Sequence, residues 1–329
     1  MRGRAFSGRE EIPGLVVGLF PGLFRMVCGS VTGSGRLTDV YTSEINRNQP
    51  ACLLLLIDQS SSMEAKWADT GTSKAGQLAL AVNRILGNAV LLCSKGDDRI
   101  FHYFDVGILG YGKGVHPILH GATAERPLLP IDELAVGPKR VDQVRRKVND
   151  GAGGLVEVAT PMPVWLDPVA DGWTPMVEAV KTAERVVTEW CVDHQASFPP
   201  MVINITDGES TDGDPREAAT RLRNARTTDG EALLFNVHLS SGARNAAMFP
   251  DSSTGLPDKF AVQLFEMSSK LPPSMVKAAA SLGYDMRPDA RGFLYNAEAT
   301  TMIEFLDIGT RAVTPTGLLE LTSGPESMR

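Results

Sequence analysis

The sequence predicts an α/β fold with a central, mostly parallel sheet and helices on both of its faces. Short, unbroken apolar runs predict strands buried on both faces at residues 51–57, 201–206 and 232–239. Segments with helical periodicity follow or separate these runs, at residues 74–93, 174–191 and 214–226. Because strands that alternate with helices form parallel sheets, we expect ligands to bind beyond the carboxyl ends of the strands.

The rest of the chain predicts elements with a less regular pattern and a division into three regions. The further elements are a strand (100–109), a glycine-rich turn (107–114), a helix (139–149), a turn or flexible loop (151–154), helical segments over 258–283 broken at Pro272 and Pro273, a strand (292–296) and a closing helix (298–312). The predicted regions are a weakly structured N-terminal extension (1–44), one domain with an insertion around 111–172 (45–313), and a C-terminal tail (314–329).

Composition and charge narrow the function classes. The 329 residues are 43% hydrophobic and carry a net charge of −7, which argues against binding of nucleic acid. One basic run is interpreted as the solvated face of the expected helix at 139–149; it consists of Lys139, Arg140, Arg145, Arg146 and Lys147. No stretch approaches the roughly 20 apolar residues of a membrane helix, so we expect no membrane span.

Cysteine usage and the first residues bear on localisation. The four cysteines form no close pair, and we expect buried free thiols in a reducing cytoplasm. Arginines followed by an apolar run at 15–24 give the N-terminus a superficial likeness to a signal peptide. Glu10 and Glu11 interrupt that pattern, and we therefore expect a cytoplasmic protein, with secretion as the alternative.

Three separate segments place oxygen-bearing side chains at the predicted binding edge of the sheet. Asp58, Ser60 and Ser62 follow the first buried strand in a D-x-S-x-S pattern, and Asp207 follows the strand at 201–206. Thr174 stands in the segment Thr-Pro-Met, where it is expected to cap the next helix. Hydroxyl and carboxylate oxygens suit Mg²⁺, Mn²⁺ or Ca²⁺ rather than zinc. Taken singly, each segment is better explained as a helix cap or an ordinary turn, whereas the three together, in this order on a parallel sheet, favour a metal site.

These motifs, in the order D-x-S-x-S, T-P-M and T-D-G-E-S, resemble the metal-ion-dependent adhesion site (MIDAS) of von Willebrand factor A (VWA) domains. VWA domains have a Rossmann-like fold. The resemblance extends from about residue 51 to 311 and is nearest to stand-alone bacterial VWA proteins. It implies that Ser60, Ser62 and Thr174 contact a divalent cation, while Asp58 and Asp207 act through water or hydrogen bonds. It also implies that the closing helix could move when a ligand binds, as in some relatives.

The resemblance implies a binding protein rather than an enzyme. Its partner would offer an Asp or Glu carboxylate to the cation, in a bacterial stress-response or signalling assembly with a kinase or phosphatase. One alternative is a VWA subunit of an AAA-ATPase chelatase or remodelling complex, and another is a metal-assisted hydrolase with Glu209 as the base. Trp173, Glu209 and Ser210 are candidate partner contacts. Trp173 could equally pack in the core, and the other two could only hold a turn.

Overall fold

The computed structural model describes residues 40–67, 71–95, 99–149, 155–240 and 246–296, together with Thr301. The expected turn at 151–154 and the expected C-terminal tail lie outside these residues, as does the closing helix apart from Thr301. Most of the expected N-terminal extension also lies outside them. The proposed region boundaries therefore stay predictions.

Strands and helices alternate along the described chain. The strands are β1 (Ala51–Asp58), β2 (Ser94–Lys95), β3 (Arg99–Ile100), β4 (Phe104–Tyr111), β5 (Val115–Pro117), β6 (Leu128–Pro130), β7 (Arg140–Asn149), β8 (Leu155–Val164), β9 (Met201–Thr206), β10 (Arg226–Thr227), β11 (Gly230–Glu231), β12 (Leu233–His238), β13 (Ala247–Met248) and β14 (Phe293–Tyr295). The helices are α1 (Lys74–Leu92), α2 (Ile131–Val136), α3 (Met176–Asp193), α4 (Arg216–Asn224), α5 (Lys259–Met267) and α6 (Pro273–Ser281), with a 3₁₀ turn at Ser61–Glu64.

Five parallel strands form the centre of the main sheet, in the order β4-β1-β9-β12-β14. β5, β6 and β13 add antiparallel pairs at its two edges. Helices cover both faces, and β1 shows how the sequence divides between them. Leu53 and Leu55 pack on one side with α1, α2 and α6, whereas Leu54 and Leu56 pack on the other with α3, α4 and α5. This alternation with a period of two confirms the predicted α/β class with a mostly parallel sheet.

The helix expected at 139–149 is wrong: this segment is strand β7. β7 pairs with β8 in an antiparallel ribbon outside the main sheet, from Arg140 opposite Val164 to Asn149 opposite Leu155. Val141, Val144 and Val148 are spaced as on a helix, so the local pattern of this strand is compatible with a helix. The hydrogen-bonding partners lie across the ribbon in β8, which a local pattern does not reveal. The basic run therefore belongs to a strand and the residue before it.

The predicted glycine-rich turn at 107–114 is also placed too early. Gly107 and Gly110 lie inside β4, which begins at Phe104 rather than at residue 100. A side chain at Gly107 would collide with Leu54 and Leu128, so this glycine allows close packing within the sheet. The turn itself starts only after Tyr111.

Helix α1 has two features that bear on the predictions. It is long and apolar enough to cross a bilayer by composition alone, with a mean hydropathy of 1.3, but half of that window is buried inside the fold. Such a helix is weak support for a membrane span, because core helices pass the same test.

Cys93 at the end of α1 is buried, as are Cys52 and Cys191, which confirms the expectation of buried thiols for these three residues.

Asn83 on α1 fixes the segment that leaves the ribbon. Its side-chain oxygen accepts hydrogen bonds from the backbone N–H groups of Trp165 (2.8 Å) and Leu166 (3.0 Å). Its amide nitrogen donates to the Leu166 carbonyl at 2.8 Å. All these groups are buried, so the loss of Asn83 would leave backbone groups without partners.

We expect Asn83→Ala to lower the free energy of unfolding by about 2–4 kcal/mol, since unpaired buried polar groups cost about 1–3 kcal/mol each. Urea denaturation measures this change. The matched control is Asn88→Ala on the exposed side of the same helix, which should change stability by less than about 0.5 kcal/mol. Equal effects of the two substitutions would contradict the inference that Asn83 stabilises the fold through its hydrogen bonds to Trp165 and Leu166.

A hydrogen-bonded cluster around Asp105 lies at the amino-terminal end of β4, away from the carboxyl ends of the parallel strands. Asp105 accepts hydrogen bonds from His102 (2.7 Å) and from the indole of Trp190 (2.8 Å), and His194 stacks on that indole. The hydrogen bond to Asp105 raises the pKa of half-buried His102 above its ordinary value. Burial favours a higher pKa for Asp105, but its hydrogen bonds from His102 and Trp190, together with the charges of His102 and His194, outweigh this effect and the pKa is lowered.

The His102–Asp105 pair should make stability depend on pH. A histidine with a raised pKa contributes stability below its unfolded pKa of about 6.5, and this contribution disappears as pH rises through the folded pKa. The stability lost in His102→Asn should therefore be larger near pH 5.5 than near pH 9. Urea denaturation at the two pH values measures it. Exposed His120→Asn is the control, and a pH-independent loss in His102→Asn would refute this linkage.

Candidate metal site

The predicted oxygen donors gather where the strand order reverses. After β1 the chain first forms β4 on one side, and it later crosses to form β9 on the other side of β1. Asp58 is the last residue of β1, and Asp207 follows the last residue of β9. The parallel pairing of these strands, with Ile57 opposite Ile205, brings both aspartates to the same edge. A crevice between strands with diverging connections is the usual ligand position in such sheets.

Asp58 ties together the ends of the two strands. One oxygen accepts a hydrogen bond from the backbone N–H of Ser60 (2.8 Å), and the other accepts one from the Thr206 hydroxyl (2.6 Å). Burial raises the pKa of the Asp58 carboxyl above its ordinary value, while the hydrogen bonds from Ser60 and Thr206 oppose this rise. Asp58 therefore positions the loop that carries the serines and is itself almost inaccessible to solvent.

A chain of short contacts joins the two serines to Asp207. The Ser60 and Ser62 hydroxyl oxygens lie 2.9 Å apart, and the Ser62 hydroxyl donates to Oδ1 of Asp207 at 2.6 Å. These contacts link residues that are 145 positions apart in the sequence. Four of the five predicted residues, including Asp58, thus lie in one hydrogen-bonded cluster.

Thr174 is held beside this cluster by backbone contacts. Its carbonyl accepts a hydrogen bond from Thr211 N (2.9 Å), in the loop that follows Asp207. Two residues earlier, the Gly172 carbonyl accepts one from Ser61 N (3.2 Å), between the two serines. The loop of the buried Thr174 is thus tied to both of the other loops.

The expected role of Thr174 as a helix cap is wrong. Helix α3 begins at Met176, so Pro175 occupies the cap position. The carboxylate of Asp212 instead accepts hydrogen bonds from Val177 N (3.0 Å) and Glu178 N (2.9 Å) at the start of the helix. Because a distant side chain caps α3, the Thr174 hydroxyl is not needed for that task.

Lys74 is a member of the site that sequence reasoning missed. Its ammonium group lies 2.7 Å from Oδ2 of Asp207, and the side chains of Lys74 and Asp207 are only 6% and 1% exposed. A sequence signal existed, because Lys74 precedes Leu78 by one helical turn and so shares the buried face of α1. A lysine at a helix N-terminus is also electrostatically unfavourable without an acidic partner.

The donor set fits a small divalent cation. Neighbouring oxygens around octahedral Mg²⁺ at about 2.1 Å from the ion lie about 3 Å apart, and the 2.9 Å between Ser60 Oγ and Ser62 Oγ matches this spacing. All predicted donors are oxygens, as Mg²⁺, Mn²⁺ and Ca²⁺ prefer. Within the described residues, no group of three or more His, Cys, Asp or Glu side chains is placed to hold a metal. A cation at this site would therefore depend on the hydroxyl groups.

The three candidate partner contacts have different surroundings. Trp173, next to Thr174, is 74% exposed rather than packed in the core. Glu209 is exposed and lies 3.5 Å from the ammonium of Lys259. The Ser210 hydroxyl donates to Asp212, the residue that caps α3, so Ser210 also supports the turn.

Comparison with known proteins finds structural similarity at low sequence identity. No protein-family model and no curated protein matches the chain. Two solved structures of proximal thread matrix protein 1 from the mussel byssus, one with a zinc-occupied MIDAS motif, align with a TM-score of 0.42 at 12% identity. They cover 81% and 84% of this chain, which spans about half (49%) of the mussel protein. The PilB minor pilin from Streptococcus sanguinis aligns with a TM-score of 0.38 at 9% identity, over 84% of this chain and 64% of the pilin. Similarities this weak carry no argument about metal or function.

Gly172 allows the Thr174 loop to approach the β4–β5 turn. Its φ of +104° is a backbone conformation that favours glycine, and an added Cβ would lie 2.6 Å from Lys113 N. We expect Gly172→Ala to destabilise the protein by about 1–3 kcal/mol, measured by urea denaturation. In the same region, Gly114→Ala meets no atom within 4 Å and should be tolerated. If both variants were equally stable, Gly172 would not be a constraint on the loop.

Proposed function

We propose that this chain is a VWA-type domain that recognises a partner protein through a divalent cation. The observation that carries the proposal is the hydrogen-bonded cluster of Asp58, Ser60, Ser62 and Asp207 at the reversal of strand order. Thr174 completes the donor set from a third loop. We propose Mg²⁺ as the physiological ion, with Mn²⁺ or Ca²⁺ as substitutes.

The donor types explain why such a site would seek a partner. Ser60, Ser62 and Thr174 offer neutral hydroxyl groups, which leave most of the charge of a bound cation uncompensated. Asp58 is already engaged with Ser60 N and Thr206 and holds the loop rather than the ion. An anionic oxygen from outside would therefore be attracted to the open position, and an Asp or Glu side chain supplies one.

The surroundings of the site offer further contact surface. Exposed Trp173 stands directly beside Thr174, and aromatic residues in such positions often anchor protein partners. A cavity of about 380 Å³ is lined by Gln59, which lies between Asp58 and Ser60 of the proposed metal site. Both acidic and basic side chains line it, including Lys113 and Asp171. We propose that the residues flanking the partner carboxylate lie across Trp173 and this cavity.

The partner class follows from the resemblance alone. We propose a cytoplasmic bacterial protein, such as a kinase or phosphatase in a stress-response assembly; an AAA-ATPase of a chelatase or remodelling complex is the alternative. For a metal-assisted hydrolase, Glu209 would have to act as the base, yet its exposed carboxylate is ion-paired with Lys259 at 3.5 Å. We therefore propose recognition without catalysis.

We expect Mg²⁺ or Mn²⁺ to raise the thermal unfolding midpoint of the wild-type protein, since a ligand that binds only the folded state stabilises it. At about 100 times Kd the gain is about 2.7 kcal/mol, or roughly 5–10 °C for a domain of this size. Thr174→Val removes one donor with little change in shape and should abolish most of the shift. Thr188→Val, an exposed position on α3, should keep it.

The same variants test recognition. Immobilised wild-type protein and Thr188→Val should retain the same partner from a bacterial lysate in Mg²⁺ and release it in EDTA, whereas Thr174→Val should not retain it. A metal-induced shift without metal-dependent retention would leave a cation site but refute the partner role. Retention that is equal in EDTA and in Thr174→Val would refute the metal-bridged mechanism.

A further inference from the structure

Lys74 places a fixed positive charge inside the proposed cation site. Its ammonium group binds one oxygen of Asp207, while Ser62 binds the other oxygen of the same carboxylate. These two contacts, 2.7 Å and 2.6 Å long, keep the ammonium within roughly 8 Å of the Ser62 hydroxyl, about one Debye length at physiological ionic strength, so salt screens the interaction only in part. Any cation held by Ser62 would therefore experience repulsion from Lys74.

The position of Lys74 runs against the local preference of the helix. Lys74 is the first residue of α1, where the positive end of the helix dipole disfavours a cation. It is also buried, which lysine tolerates only with a partner. Asp207 satisfies both requirements, so the pair forms a unit whose two charges balance without any metal.

The charge of the cluster changes sign when a cation is added. With both carboxylates ionised, Asp58, Asp207 and Lys74 together carry one negative charge. A divalent cation leaves the cluster with one positive charge, which a single partner carboxylate can neutralise. Without the ammonium group, the two aspartates would balance the charge of the cation, and the cluster would attract a partner carboxylate less strongly.

We propose that Lys74 is a positioning residue that weakens the binding of metal alone and so couples metal binding to the binding of a carboxylate ligand. This inference rests on the proposed function. Lys74 holds Asp207 in place when no cation is bound, which keeps the site folded and available. The cation then binds tightly only together with the anionic side chain of a partner.

Isothermal titration with Mg²⁺ alone, in a buffer without carboxylates, tests the proposal on the full chain. We expect Lys74→Met to bind Mg²⁺ at least about tenfold more tightly than the wild type, which corresponds to about 1.4 kcal/mol. Lys74→Arg keeps the charge and should bind as weakly as the wild type. The control is Lys181→Met, which removes an exposed lysine from α3 and should leave the affinity unchanged.

A second readout covers the case in which Lys74→Met is poorly folded without metal. Lys74→Gln keeps a hydrogen-bond donor near Asp207 but removes the charge, and its thermal midpoint should rise more with Mg²⁺ than that of the wild type. Equal or weaker Mg²⁺ binding by both neutral variants, with binding by the wild type intact, overturns this inference and leaves the proposed function standing. No Mg²⁺ binding by any of the proteins at millimolar concentration overturns both.

Discussion

The parallel pairing of β1 with β9 is the constraint on which the site depends. Because Ile57 lies opposite Ile205, the next residues of the two strands, Asp58 and Thr206, are neighbours at the edge of the sheet. The hydrogen bond between them, 2.6 Å long, locks the two strand ends together. A shift of one residue in either strand would turn its side chains to the opposite face and separate the cluster.

The parts that could be predicted from sequence are those with local signals. The run at 51–57 is apolar throughout because β1 is buried on both faces, and its strand was placed to within one residue. The D-x-S-x-S pattern directly after it, and Asp207 after β9, could be assigned to the same edge because parallel strands carry their carboxyl ends together. The order of elements alone therefore predicted that these side chains meet, without any knowledge of contacts.

The parts that could not be predicted depend on partners distant in sequence. The valines of β7 follow a helical spacing, which a local pattern cannot distinguish from a helix, whereas the structure of β7 is determined by pairing with β8. Thr174 was assigned as a cap because Asp212, the side chain that caps α3, lies 35 residues away from Val177. Lys74 had a local signal, a charge on the apolar stripe of α1, but only the fold shows that Asp207 is its partner.

The ion pair of Lys74 with Asp207 bears on how a metal-dependent site can belong to a permanently folded domain. A buried carboxylate without a partner is costly, and a site made only of such groups would need its cation in order to fold. Here the ammonium group of Lys74 offsets the cost of burying Asp207, so the domain can fold before a cation binds. A ligand shifts an equilibrium only by its difference in affinity between the two states. In this arrangement the domain can fold before the cation binds, and the cation binds most tightly together with the carboxylate of a partner.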